Sequence, residues 1–107
     1  MTTTTKETMK ITNITPSRKY FPSHRTGGLS GITVREIIAF LGFKPNFEDD
    51  PDKVENSWTA NVTVKGSKRK VKIAIWDYRG SHRWKEFSTY GPHDVLRAIF
   101  GDYYVGY

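Results

Sequence analysis

The chain has 107 residues, of which 36% are hydrophobic and 14% aromatic, and it carries 17 basic against 11 acidic residues for a net charge of +6. That length holds one domain with one modest core. The absence of cysteine excludes a disulfide framework, a thiolate zinc site and a cysteine nucleophile. No apolar run approaches the roughly 18 residues of a membrane span, and the polar start lacks the apolar stretch of a signal peptide. A cytoplasmic protein is expected.

Residues 1 to 8 are Thr-rich and polar, and are predicted to be disordered. The single α+β domain is expected over residues 9 to 107. Met9, Ile11 and Ile14 suggest a short edge strand. Residues 16 to 31 carry Pro16, Pro22, Gly27, Gly28 and Gly31, and read as a basic loop or arm. Gly27 and Gly28 are also a weak candidate for a phosphate cradle, without the lysine of a P-loop.

A helix is predicted from Thr33 to Leu41. Thr33 and Glu36 form a capping-box pair, and Val34, Ile37, Ile38 and Leu41 share one face. Gly42 and Pro45 end it. Trp58, Ala60, Val62 and Val64 then alternate with polar residues, as do Val71, Ile73 and Ile75 with Lys70, Lys72 and Ala74. Both are period-two strands, joined through Lys65-Gly66-Ser67-Lys68 as a hairpin. A third strand is predicted over Trp84 to Thr89. A last helix starts at Pro92, with Asp94 in its first turn and Val95, Leu96, Ile99 and Phe100 as its apolar residues. Tyr103 to Tyr107 form an aromatic tail that suits an added strand. The expected architecture is α+β: a three-stranded antiparallel sheet packed with two helices in the order α-β-β-β-α, with short edge strands at both ends.

The charge is unevenly spread. Residues 48 to 55 hold five of the acidic residues and one lysine, so the rest of the chain has 16 basic and 6 acidic residues, a net +10. The basic residues fall in three groups: Arg18, Lys19 and Arg25 in the arm; Lys65, Lys68, Arg69, Lys70 and Lys72 at the hairpin; Arg79, Arg83 and Lys85 in the following loop. If hairpin and loop flank one sheet edge, their charges converge into a site for a polyanion backbone. Tyr20, Phe21, Tyr78 and Trp84 lie among them, and aromatics beside arginine stack single-stranded bases. The competing explanation is that these lysines only protect a strand edge.

The α-β-β-β-α order over residues 33 to 101 is similar to that of the double-stranded RNA-binding domain. Trp58-x-Ala60-x-Val62-x-Val64-x-Gly66 looks like that family's first strand. The family opens its second helix with a lysine cluster, whereas Pro92-His93-Asp94-Val95 stands here. The resemblance is one of element order, and fold analogy does not carry function.

The acidic run lacks the glycine and ligand spacing of an EF-hand, so no metal site is expected. His24, His82 and His93 show no zinc spacing. Ser88, His93 and Asp94 can be written as a catalytic set, but no motif supports it. The chain is therefore expected to be a non-enzymatic binder without a cofactor. The first expectation is a nucleic-acid backbone held by Lys68, Arg69, Lys70, Lys72, Arg79, Arg83, Lys85, Arg18, Lys19 and Arg25, with Trp84 as a stacking surface. The second is a protein partner or a second copy of the chain, reached through Asp49, Asp50, Asp52, Tyr103, Tyr104 and Tyr107. A small inhibitor of the phage anti-defence kind has that character.

Overall fold

A computed structural model describes residues 11–17, 25–46, 54–66, 70–78 and 80–106. The strands are β1 (Ile11–Pro16), β2 (Gly27–Ser30), β3 (Val54–Val64), β4 (Lys70–Tyr78), β5 (Glu86–Tyr90) and β6 (Tyr104–Gly106). The helices among the described residues are α1 (Val34–Leu41) and α2 (His93–Phe100). All six strands join one antiparallel sheet in the order β1-β3-β4-β5-β2-β6.

The class is α+β, but the expected three-stranded sheet is corrected. The β3-β4-β5 meander is its centre, and three more strands extend it. Over residues 33–101 the order is α1-β3-β4-β5-α2, but β1, β2 and β6 join the same sheet, so the domain as a whole is not a three-stranded α-β-β-β-α fold. The largest departure is β2. Gly27 to Ser30 lie in the stretch read as an arm, yet they pair with β5 on one side and β6 on the other. Gly27-Gly28 is thus an interior strand segment, not a phosphate-cradling loop. The strand before α2 begins at Glu86 rather than Trp84, because Ser81–Trp84 form a short 3₁₀ turn.

Strand register puts Ile14, Ala60, Val62, Trp58, Ile73, Ile75, Phe87, Leu29 and Tyr104 on one face. Both helices pack there. Ile37 and Leu41 of α1 and Val95, Leu96, Ile99 and Phe100 of α2 join these strand residues in one core. Burying a large apolar side chain contributes about 1.5–3 kcal/mol, so this single cluster dominates stability. Trp58 is fully buried, and its indole N–H donates to the Phe43 carbonyl at 3.1 Å. That bond removes the cost of an orphaned polar group.

Local chemistry fixes the ends of α1. The Thr33 hydroxyl accepts from the Glu36 N–H at 3.1 Å, and the Glu36 carboxylate accepts from the Thr33 N–H at 2.9 Å. Gly42 closes the helix in the left-handed region at φ 93°.

The edge of β3 past the end of β1 is sealed by one side chain. Asn46 donates its main-chain N–H to Ser57 O at 3.0 Å. Its amide donates to Thr59 O at 3.1 Å and Ser17 O at 2.8 Å, and its carbonyl accepts from Thr59 N at 3.0 Å. Asn46 thus stands in for the peptide unit that a longer β1 would supply.

Candidate nucleic-acid interface

On β4, Val71, Ile73 and Ile75 share the core-side register, so Lys70, Lys72, Ala74 and Trp76 lie in a row on the opposite face. Lys70 and Lys72 are exposed, and Trp76 is half-buried. Tyr90 on β5 pairs with Ala74, and Ser88 pairs with Trp76, so Tyr90 and Trp76 are diagonal neighbours on that face. Ser57, Thr59, Ala74 and Ser88 share this face and are buried, so its middle is closed while Lys70 and Lys72 at one end are exposed.

Where β5 turns away after Tyr90, no described strand pairs with β4 on that side. The result is a cleft of about 400 Å³ lined by Thr26, Lys70, Val71, Lys72, Tyr90, Gly91 and Pro92. Gly91 makes the departure possible. Its φ is 137°, and a β-carbon there would lie 2.9 Å from Ile73 Cγ2. Thr26 ties the walls together: its hydroxyl donates to Gly91 O and accepts from Gly91 N, both at 3.1 Å. Two lysines, an aromatic ring and a braced rim form a cationic seat suited to a phosphate.

At the far end of β4 the chain enters the 3₁₀ turn. Gly80 precedes it at φ 76° and Lys85 follows it at φ 63°, both left-handed. Arg83 N–H donates to Gly80 O at 3.0 Å and Lys85 N–H to His82 O at 3.1 Å. The Ser81 hydroxyl donates to Glu86 O at 2.7 Å. Lys85 O accepts from Gly31 N at 2.9 Å and from Ile32 N at 3.3 Å. On this turn Trp84 is 62% exposed, the most exposed of the large hydrophobic residues described. Exposed Arg83 and Lys85 flank it. An exposed indole between two exposed cations is suited to stacking on a base.

The hairpin and loop charges do not meet at one edge, which corrects that expectation. Lys70 opens β4 and Arg83 follows its end; eight steps of about 3.3 Å separate the two ends of the strand by about 26 Å. They mark two separate ends of β4, with buried Ala74 and half-buried Trp76 and Tyr90 between. Arg25 is exposed but lines a different hollow of about 230 Å³ with Gly28, Ser30, Glu86 and Val105. Lys68, Arg69, Arg79, Arg18, Lys19, Asp49, Asp50, Asp52 and Tyr107 lie outside the described residues.

The aromatic tail is placed differently from an exposed docking end. Tyr104 is 5% exposed and belongs to the core, with its hydroxyl 2.8 Å from His93 Nδ1 and the Arg97 guanidinium 5.4 Å from its ring centroid. Burial raises the Tyr104 pKa against the opposing pull of Arg97. Tyr103 is half-buried and donates to Glu36 Oε2 at 3.3 Å. The Glu36 charge raises the Tyr103 pKa, and the Thr33 hydrogen bonds lower that of Glu36. Ser88 lies on the outer face while His93 contacts Tyr104, so Ser88, His93 and Asp94 form no common site.

Trp76 and Tyr90 were not singled out from sequence. The signal was present: Trp76 is out of phase with Ile73 and Ile75, which puts it on the lysine face. Comparison with protein-family models, with curated proteins and with solved structures finds no match for the chain. Among the described residues, no group of three or more histidines or carboxylates gathers as a metal site, and no helix is long and apolar enough to cross a membrane.

Proposed function

We propose that the protein is a non-enzymatic module that binds an extended single-stranded nucleic acid through the exposed groups at the two ends of β4. The row of Lys70, Lys72 and Trp76 on one face, with Trp84 mounted past its end, carries this reading. Lysines at the cleft contact phosphates and release counterions, which favours any polyanion. The exposed Trp84 adds base stacking, which selects unpaired bases because only those offer an open ring face. The two ends of β4 lie about 26 Å apart, a span at the short end of single-strand site sizes, on the order of four nucleotides. Arg83 and Lys85 hold the backbone at the far end.

The test is fluorescence anisotropy with a labelled oligothymidylate and a duplex of equal length, at two salt concentrations. Preferential single-strand binding with a salt dependence of several phosphates is expected. The double variant K70E/K72E should weaken it at least tenfold and flatten the log–log salt slope by about 2. W84A should cost about 1–3 kcal/mol of affinity. Equal, weak binding of both probes that vanishes near physiological salt would overturn the reading and turn the search to a protein partner.

A further inference from the structure

Buried Asp77 and half-buried His82 pair outside the core chemistry and away from the lysine cleft. Asp77 is 0% exposed, at a strand position that continues the apolar row of Ile73 and Ile75. A carboxylate is costly there unless its oxygens are satisfied. Oδ1 accepts from the Asn56 N–H at 2.7 Å, and Oδ2 accepts from the Asn56 amide at 3.0 Å. His82 Nδ1 lies 2.5 Å from the same Oδ2. His82 is the second residue of the 3₁₀ turn, two residues before Trp84.

We infer that Asp77 and His82 are positioning residues that anchor the turn so that Trp84 stands ready to stack on a base. A four-residue 3₁₀ turn is weak by itself. This one is also bounded by two left-handed residues, one of them a lysine. It therefore needs holding from outside. The Ser81 and Lys85 contacts hold it to β5 and to the segment before α1. Asp77 is the anchor on the β4 side, and it grips a ring rather than the backbone. An indole ordered before the ligand arrives loses less freedom on binding, so the anchor acts on affinity without touching the ligand. The affinity consequence rests on the proposed single-strand binding; the ordering of Trp84 does not.

Two measurements on the full chain test this. The first is ¹⁵N relaxation of the Trp84 indole N–H, with the buried Trp58 indole as internal reference. The second is affinity for the labelled oligothymidylate. The informative variants are H82N and H82Q. An Asn amide nitrogen falls where His Nδ1 stands, whereas the Gln amide nitrogen falls where Nε2 stands, one bond too far. H82N is expected to keep the Trp84 indole ordered and affinity within about twofold of wild type. H82Q is expected to loosen the Trp84 indole alone and to weaken binding about five- to twentyfold, as is H82A. Wild-type order at Trp84 in H82Q, or equal loss in H82N and H82Q, would overturn the inference. If the wild type does not bind the oligonucleotide, the functional reading fails, and the indole measurement still decides the anchor.

Discussion

The hydroxyl of Tyr104 fills the space that a side chain on Gly27 would need. A β-carbon on Gly27 would stand 2.5 Å from that oxygen and 2.8 Å from Val105 O. The same device recurs on β6, where a β-carbon on Gly106 would meet His93 Nδ1 at 2.5 Å. The two glycines let β2 and β6 close over the Tyr104–His93 contact. G27A forces strand or ring to move, and overpacking of this kind costs about 1–3 kcal/mol. Urea denaturation of G27A should show the unfolding free energy lowered by that amount and the midpoint shifted down accordingly. An unchanged midpoint would mean that the strands yield without cost.

Tyr104 and Gly27 also show why the sheet was only half legible. Glycines and prolines between residues 16 and 31 read as a loop because a glycine lowers strand propensity. A strand interior accepts glycine where another group approaches closely, and that group, Tyr104, lies far along the chain. The meander, by contrast, was legible from period-two patterning at Trp58 to Val64 and Val71 to Ile75. The α1 cap was legible because Thr33 and Glu36 act within one turn. At the candidate site, Lys70, Lys72 and Trp84 were legible as charge and aromatic content. Their separation along β4 was not, since it depends on which end of the strand each loop joins. Asp77–His82 was invisible because a 3₁₀ turn brings the two together and no short motif encodes it.

Glu36 sets an acid limit. Its folded pKa lies below the ordinary value of 4.5, chiefly through the Thr33 N–H and then the Thr33 hydroxyl, with Tyr103 and Lys85 adding to the effect. The folded state thus binds fewer protons than the unfolded one, and stability rises with pH in that window. The contribution is fully present above 4.5 and is lost as pH falls through the lowered folded value. Gln preserves the capping geometry but does not titrate. Denaturation from pH 6 down to about pH 3 should show a shallower loss for E36Q than for wild type. Identical profiles would remove Glu36 from the acid response.

Asn46 is a strand substitute made of one side chain, so its loss should be disproportionate for a half-buried residue. N46A leaves Thr59 N without its partner and empties one of two acceptor positions on each of Thr59 O and Ser17 O, which keep Ser17 N and the Thr59 hydroxyl. Unsatisfied buried groups cost about 1–3 kcal/mol each, reduced where water enters. A total of about 2–4 kcal/mol is expected by chemical denaturation. N46D keeps the acceptor for Thr59 N but removes both donors, and should lose most of the same stability. If N46D equals wild type, the donor bonds contribute nothing.

Lys85 separates folding from binding in one residue. Its φ of 63° is left-handed, where a side chain costs about 1–2 kcal/mol and glycine costs almost nothing sterically. Glycine gives back about 0.5–1 kcal/mol through the freer unfolded chain. K85G should therefore stabilise the fold by about 0.5–1 kcal/mol. Lys85 is exposed, so losing its pull on Glu36 offsets little of that gain. The same substitution removes a cation beside Trp84. Oligothymidylate binding should weaken severalfold, and the log–log salt slope should fall by about 1. A more stable protein that binds less well identifies Lys85 as a ligand-contacting residue kept in a strained conformation. A more stable protein with unchanged affinity and salt slope would show that the charge beside Trp84 plays no part in binding, and would leave the cleft of Lys70 and Lys72 as the phosphate seat.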